Sequence, residues 1–526
     1  MINALKNPSF FRPMSRPSSP APTATPMHVD AVMSADKPAN PLNKLSLNNF
    51  RRPAPVASPA PPAVVPSLVQ DGTYLEMLSL KFSEAVSKAL AQPVGPVTPG
   101  DLLAGKRPLP AGRGSALGTA ISSELNAARE NPHLYRAILR CLHRPLSVLV
   151  TNLSSILLPL LASPAFLTPS APTPQNPNPN PTQVHALGIA KLAEELLDVF
   201  DKLELGTDSD PRGDGLKSLR EGLASLITKI TTPLIAGIRN ELVSLVEALE
   251  SAPKTTTPAA KSTISQHPSI VTLQTVMPLY ARALNRYTSS GISQATLANV
   301  LISVLWKGMV ALSHRQDAIP PPPSPVTTGG LAPPKKRRGS PPSTTPPTTP
   351  PASRFTLKLP PSRPPSPPGV SGGATAASDC RALFNLVILL PRPSVDKPSA
   401  KIAREAVDEA FEGLQALAAY LEGLQAKTSG KDVATIVSEL QALTNEIPTL
   451  IALPPLLRMY GPREGLTVAS ILGLPEEEYR RGILTGFGRA EECADAVGHR
   501  VLRHLQTTPG TNDVVLEWLN LELINE

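Results

Sequence analysis

The most concentrated charge in the sequence is a run of four cationic residues, Lys335, Lys336, Arg337 and Arg338, which lies between two prolines and Gly339. An extended basic run can lay successive side chains into an acidic receptor groove, which is typical of a nuclear localisation signal. We therefore predict a nuclear protein that binds an import receptor here. Contact of these charges with nucleic acid is a weaker alternative, because so few neutralised phosphates give weak, salt-sensitive binding. A further alternative is a solvated run that only keeps the segment soluble.

Serine and threonine residues followed directly by proline surround the basic run. Proline-directed kinases need an extended, accessible Ser/Thr-Pro pair, so we predict a phosphoprotein. Phosphorylation of Ser340 would place about −1.5 to −2 charges beside the cations and weaken import. The candidate sites are Ser324, Ser340, Thr345, Thr349 and Ser366.

The sequence contains no complete motif for catalysis or cofactor binding. Residues 100–106 approximate a phosphate-binding loop, but Arg107 replaces the required Ser or Thr and Pro108 would block the following helix. Cys141 and His143 are two residues apart on a predicted helix, so they point to different faces and disfavour a joint metal or nucleophile site. We predict no enzyme, no cofactor and no metal site.

The net charge of +8 is concentrated in proline-rich segments. Residues 1–66 contribute +5 and residues 318–377 contribute +7, and subtracting both from +8 leaves −4 for the rest. The 63 prolines in 526 residues are about twice the usual share. Since proline removes a backbone donor and interrupts regular structure, much of the chain is expected to be linker. Three widely spaced cysteines, Cys141, Cys380 and Cys493, favour a reducing compartment.

Apolar periodicity predicts an all-α protein, an irregular helical bundle or helical array in two lobes. The lobes cover 71–315 and 378–526, and a Pro/Asn-rich spacer at 164–182 interrupts the first. Residues 1–70 and 316–377 are predicted to be disordered, because they cannot bury enough apolar surface to offset chain entropy.

The clearest periodicity repeats three times, at 189–203, 216–230 and 235–249, with apolar residues spaced alternately by three and four. It predicts three helices, the third of which begins after Pro233. Each repeat spans about two heptads, too few for a long coiled coil, so packing within the chain is the favoured interpretation. Whether the two lobes touch stays open. Further helices are expected at 71–93, 115–131, 133–163, 267–289, 293–315, 379–390, 397–428, 431–446, 466–473 and 475–505.

Residues 147–167 carry no charge and follow Arg144, so a membrane span is conceivable. Asn152, Pro159 and Pro164 dilute the apolar character. We interpret the stretch as a buried core helix and expect no membrane contact.

The C-terminal residues alternate acidic and apolar side chains. Such segments can order against a hydrophobic groove, which makes the apolar residues candidates for partner docking. A terminal helix packed on the body with Trp518 as its anchor is the alternative. The docking candidates are Leu516, Trp518, Leu519, Leu521, Leu523 and Ile524.

Together these features predict a nuclear adaptor, scaffold or regulatory subunit in transcription, chromatin or chromosome maintenance, which binds other proteins through helix faces. A mitochondrial or membrane-associated helical protein is the first alternative, because Lys6, Arg12 and Arg16 precede any acidic residue. An enzyme whose site is assembled from dispersed residues is the second.

Overall fold

A computed structural model describes residues 68–94, 102–207, 216–252, 266–316, 375–395, 398–425, 432–462 and 465–525. Within these residues the regular structure is helical and contains no strand, so the all-α prediction is confirmed. The helices are α1 Leu68–Leu90, α2 Arg113–Ala127, α3 Pro132–Ala162, α4 Pro181–Lys202, α5 Leu216–Glu247, α6 Pro268–Tyr287, α7 Gln294–His314, α8 Ala376–Val387, α9 Pro398–Gln425, α10 Val433–Thr444, α11 Thr449–Tyr460, α12 Val468–Leu472, α13 Glu476–Gly482, α14 Phe487–Thr507 and α15 Asp513–Asn525.

Local sequence explains where α4 begins. The Asn180 side chain accepts the Gln183 backbone N–H, and the Gln183 side chain accepts the Asn180 backbone N–H, with proline at the first helical position. These contacts satisfy donors that a helix start leaves open. Gln183 also donates to the carbonyl of Phe166 at 2.9 Å, which holds the predicted 164–182 spacer against the start of α4.

One helix, α5, covers the predicted helix at 216–230 and all but the last two residues of the predicted helix at 235–249. Pro233 lies inside it and removes one backbone hydrogen bond. Ile230 and Leu234 on either side of the proline are fully buried, so core contacts hold both halves in one helix. The prediction of two separate helices is therefore wrong.

The structure differs from the sequence-based predictions at two further places in the C-terminal part. The predicted helical stretch at 475–505 is divided into α13 and α14, and Gly486 is extended at the start of α14. The Gly486-Phe487-Gly488 sequence predicts a turn between helices at this place, and that prediction is confirmed. Helix α11 was not predicted, since adjacent Pro454 and Pro455 suggest a break. Both prolines are buried in the core, and the helix continues through them.

The two predicted lobes share one hydrophobic core, with α7 at its centre. Helix α7 packs against α5, which precedes it in the chain, and against α8, α9 and α11, which follow it. The Trp306 indole N–H donates to the carbonyl of Leu484 at 2.9 Å, and its ring lies 4.6 Å from that of Phe487. Residues far apart in sequence therefore meet at one buried tryptophan.

A buried ion pair joins the end of α7 to α8. Arg315 contacts Asp379, and both side chains are almost completely buried. The intervening residues 317–374 lie outside the described part of the chain. The ends of the described chain just before and just after these residues are therefore joined by a buried ion pair.

A second polar cluster lies nearby, where α13 meets the chain after α5. The Arg480 guanidinium donates to both carboxylate oxygens of Glu250, at 2.5 and 2.6 Å, and to Glu476 at 2.8 Å. His314 at the end of α7 lies 3.9 Å from Glu476. Burial, and then the nearby Arg480 guanidinium, lower the pKa of His314 below its ordinary value of 6.5.

Candidate interaction surface

The predicted localisation and phosphorylation residues lie outside the described part of the chain. These are Lys335, Lys336, Arg337, Arg338, Ser324, Ser340, Thr345, Thr349 and Ser366.

The C-terminal docking candidates divide between the two sides of α15. Trp518 and Leu519 are completely buried, and the Trp518 indole N–H donates to the Thr444 hydroxyl at 3.1 Å. Leu516 and Leu523 are partly buried against the core. On the opposite side, Leu521 and Ile524 are exposed. The alternative of a packed terminal helix anchored by Trp518 is therefore the arrangement that the structure has.

Polar residues also line a groove of about 330 Å³ between α4, α5 and the end of α6. The buried Glu194 carboxylate accepts the Ser289 hydroxyl at 2.9 Å and pairs with Lys191 at 3.2 Å. These groups are engaged with one another, which ties α4 to the loop before α7. Within the described residues, no group of three or more His, Cys, Asp or Glu is placed to hold a metal ion.

One side of α3 packs into the core. Leu142, Leu146, Leu149, Leu153 and Leu157 are spaced by three or four residues and are nearly completely buried. This side contacts α1, α4 and α5. These core contacts hold α3 in place although it contains Pro145 and Pro159.

The opposite side of α3 is exposed, and its first half is basic. Arg136, Arg140 and Arg144 are exposed and spaced by four residues, and the exposed His143 lies three residues after Arg140. No acidic residue lies between Arg136 and Lys191, so nothing on α3 itself neutralises this row.

The second half of the exposed side is uncharged and partly apolar. Val148, Ile156 and Leu158 have exposed fractions of 49%, 45% and 62%. Exposed apolar side chains that cluster on one helix face commonly mark an interaction site. We call the whole exposed side the α3 surface, which comprises Arg136, Arg140, His143, Arg144, Val148, Thr151, Asn152, Ser155, Ile156, Leu158, Pro159 and Ala162.

Among the described residues, two helical stretches are long and apolar enough to cross a membrane by length and composition, Pro132–Ala162 and Gly291–His314. The second is mostly buried within the protein, whereas only 28% of the most apolar part of the first is buried. The prediction that 147–167 forms a buried core helix is thus correct for one side of α3 only. Sequence reasoning missed the other side, although the spacing of its arginines was visible.

No protein-family model, curated protein or solved structure matches this chain. Its function must be inferred from the surfaces themselves.

Proposed function

We propose that this protein is a nuclear helical adaptor or regulatory subunit that binds other proteins, in transcription, chromatin or chromosome maintenance. The α3 surface is the observation that carries the proposal. It joins a row of exposed arginines to exposed apolar side chains on one helix. Such a surface suits an amphipathic partner segment that carries acidic residues at one end and apolar residues at the other.

Nuclear localisation rests on the sequence alone. Four consecutive cations at 335–338 lie in an acid-free stretch from 318 to 377. We expect the fluorescently tagged full-length protein to accumulate in the nucleus, and the variant with all four residues changed to Ala to lose that accumulation. Unchanged nuclear accumulation of the variant would contradict the import signal, and mitochondrial accumulation of the wild type would favour the first alternative.

Proximity labelling in cells tests the adaptor role of α3. The full-length protein is compared with the double variant Arg140→Glu/Arg144→Glu, whose exposed positions allow the fold to persist. We expect the variant to lose a defined subset of labelled neighbours. The matched control is Arg500→Glu/Arg503→Glu on the exposed side of α14, which should retain that subset. An unchanged set of neighbours in the α3 variant would overturn the proposal for this surface.

A second candidate function, association with a membrane surface, is supported by the same apolar half of α3. A helix that lies on a membrane buries its apolar face at the headgroup boundary beside basic residues. Thr151, Asn152 and Ser155 lie among the exposed apolar residues, and the hydroxyls of Thr151 and Ser155 donate to the backbone carbonyls of Ser147 and Asn152. These polar residues interrupt the apolar half of the α3 surface, which favours a protein partner over a lipid surface. Flotation with vesicles of neutral and anionic phospholipid separates the two functions, because only a membrane-binding protein floats with them.

A further inference from the structure

The exposed side of α15 carries acidic residues first and apolar residues second. Asp513 and Glu517 are exposed, and Leu521 and Ile524 follow on the same side with exposed fractions of 38% and 77%. The four residues are spaced by four, four and three, which places them in one row along the helix. Trp518 holds the other side in the core, so the row points away from the body.

The α3 surface has the complementary pattern in the same direction. Arg140 and Arg144 are four residues apart, as Asp513 and Glu517 are. Val148 follows Arg144 by the same interval at which Leu521 follows Glu517. If the two helices lie side by side and parallel, each carboxylate meets a guanidinium and Leu521 meets Val148, while Ile524 lies beside Thr151. In the antiparallel arrangement Leu521 would face arginine instead.

The two rows do not cover each other within one molecule. Helix α15 packs against α10, α11 and α14, whereas α3 packs against α1, α4 and α5. Both rows are exposed in the described structure. Pairing therefore requires a second copy of the chain.

We propose that this protein self-associates head to tail, with α15 of one copy docked in parallel on the α3 surface of another. The proposal rests on the α3 surface being an interaction site, and it names a second copy as one occupant. Because two different surfaces meet, association continues beyond a dimer unless the copies close into a ring. One short helix pair buries less than a standard interface of about 1,600 Å², so the association is weak and depends on protein concentration.

Sedimentation velocity of the full-length protein tests the proposal. We expect the average sedimentation coefficient to rise with protein concentration, and to rise less at about 1 M salt, where charges are screened within about 3 Å. Asp513→Lys/Glu517→Lys and Arg140→Glu/Arg144→Glu should each weaken association about tenfold or more, because each creates like-charge contacts.

An equimolar mixture of the two double variants is the sharpest experiment. In the mixture the lysines on α15 meet the glutamates on α3, and the unaltered α15 of one variant meets the unaltered α3 of the other. Association in the mixture should therefore be stronger than that of either variant alone. Glu478→Lys and Arg503→Glu, two exposed charge reversals elsewhere, should behave as the wild type does. Circular dichroism and thermal melting confirm that all variants are folded.

A wild type that stays monomeric at every concentration would overturn self-association, and so would a mixture that stays dissociated. Neither result contradicts the adaptor proposal. That proposal is contradicted only if Arg140→Glu/Arg144→Glu leaves the set of labelled cellular neighbours unchanged. The two proposals can therefore fail separately.

Discussion

At the scale of single residues, the least replaceable contacts lie where distant parts of the chain meet. Arg315 and Asp379 are buried as an ion pair, and within the described residues the second carboxylate oxygen of Asp379 has no hydrogen-bond partner. Burying two charges costs nearly as much as their attraction returns. Such a pair adds little stability as a whole, yet losing one member leaves a charge in an apolar core.

Replacing one member of this pair should therefore cost more than replacing both. We expect Asp379→Ala to lower the free energy of unfolding by about 3–5 kcal/mol, because Arg315 would remain buried opposite an apolar side chain. The double variant Arg315→Leu/Asp379→Leu should lose less. Urea denaturation of the full-length variants measures both values, and a single variant as stable as the double one would contradict the argument.

His314 should make stability depend on pH. Its folded-state pKa lies below 6.5, whereas the unfolded residue titrates at its ordinary value. Below pH 6.5 the unfolded chain binds a proton at this residue that the folded chain does not, so acid favours unfolding. The stability that neutral His314 contributes is therefore fully present only above pH 6.5 and is lost as the pH falls towards its folded-state pKa.

The variant His314→Gln removes this titration. Between pH 7 and pH 5 its free energy of unfolding should fall less steeply than that of the wild type, by at most about 1.4 kcal/mol per pH unit. Urea denaturation at a series of pH values measures both slopes, with His499→Gln on the exposed side of α14 as the matched control. Equal slopes for wild type and His314→Gln would remove the assignment.

At the scale of helices, apolar periodicity predicts that a stretch is helical better than it predicts where one helix ends and the next begins. The three-and-four spacing identified the helical stretches around Ile189 and Leu223, whose side chains are buried as expected. Prolines led to wrong predictions of helix continuity at α5 and α11, because burial of neighbouring side chains can compensate for the backbone hydrogen bonds that proline removes. Which side of α3 is covered depends on α1, α4 and α5, and no local pattern contains that information.

Two substitutions in α5 separate helix propensity from packing. Pro233→Ala restores a backbone donor and should raise the free energy of unfolding by roughly 1–2 kcal/mol. Gly237→Ala also improves helix propensity, but its Cβ would lie 2.0 Å from the Ser170 carbonyl oxygen, so it should destabilise the protein. Thermal melting of both variants checks the opposite signs. If both substitutions stabilise the protein, helix propensity outweighs packing at both positions and the argument is contradicted.

At the scale of the whole molecule, α7 belongs equally to the parts of the chain before and after residues 317–374. Three residues in or next to α7 contact residues that follow this segment. Trp306 contacts Leu484 and Arg315 contacts Asp379. The Ser313 carbonyl accepts a hydrogen bond from the Arg458 guanidinium at 2.6 Å. Charge and composition predicted the proline-rich segment, but they could not reveal that helices on both sides of it complete one core.

Cleavage within residues 317–374 should therefore leave one particle. We expect a full-length protein with a protease site inserted after Ser340 to give two fragments that co-elute in size-exclusion chromatography after cutting. Trp306→Ala should weaken their association, because it removes the buried ring and its hydrogen bond to Leu484. Separate elution of the wild-type fragments would show that the shared core does not hold them.

The central position of α7 also has a consequence for synthesis on the ribosome. Its partners α8, α9 and α11 emerge only after the segment that follows α7 has been translated. At about 5–20 residues per second, the end of α9 follows the end of α7 by on the order of 10 s. During that interval the nascent chain exposes the apolar residues of α7, so we expect a chaperone to bind nascent chains stalled before α8 and to release those that extend past α11.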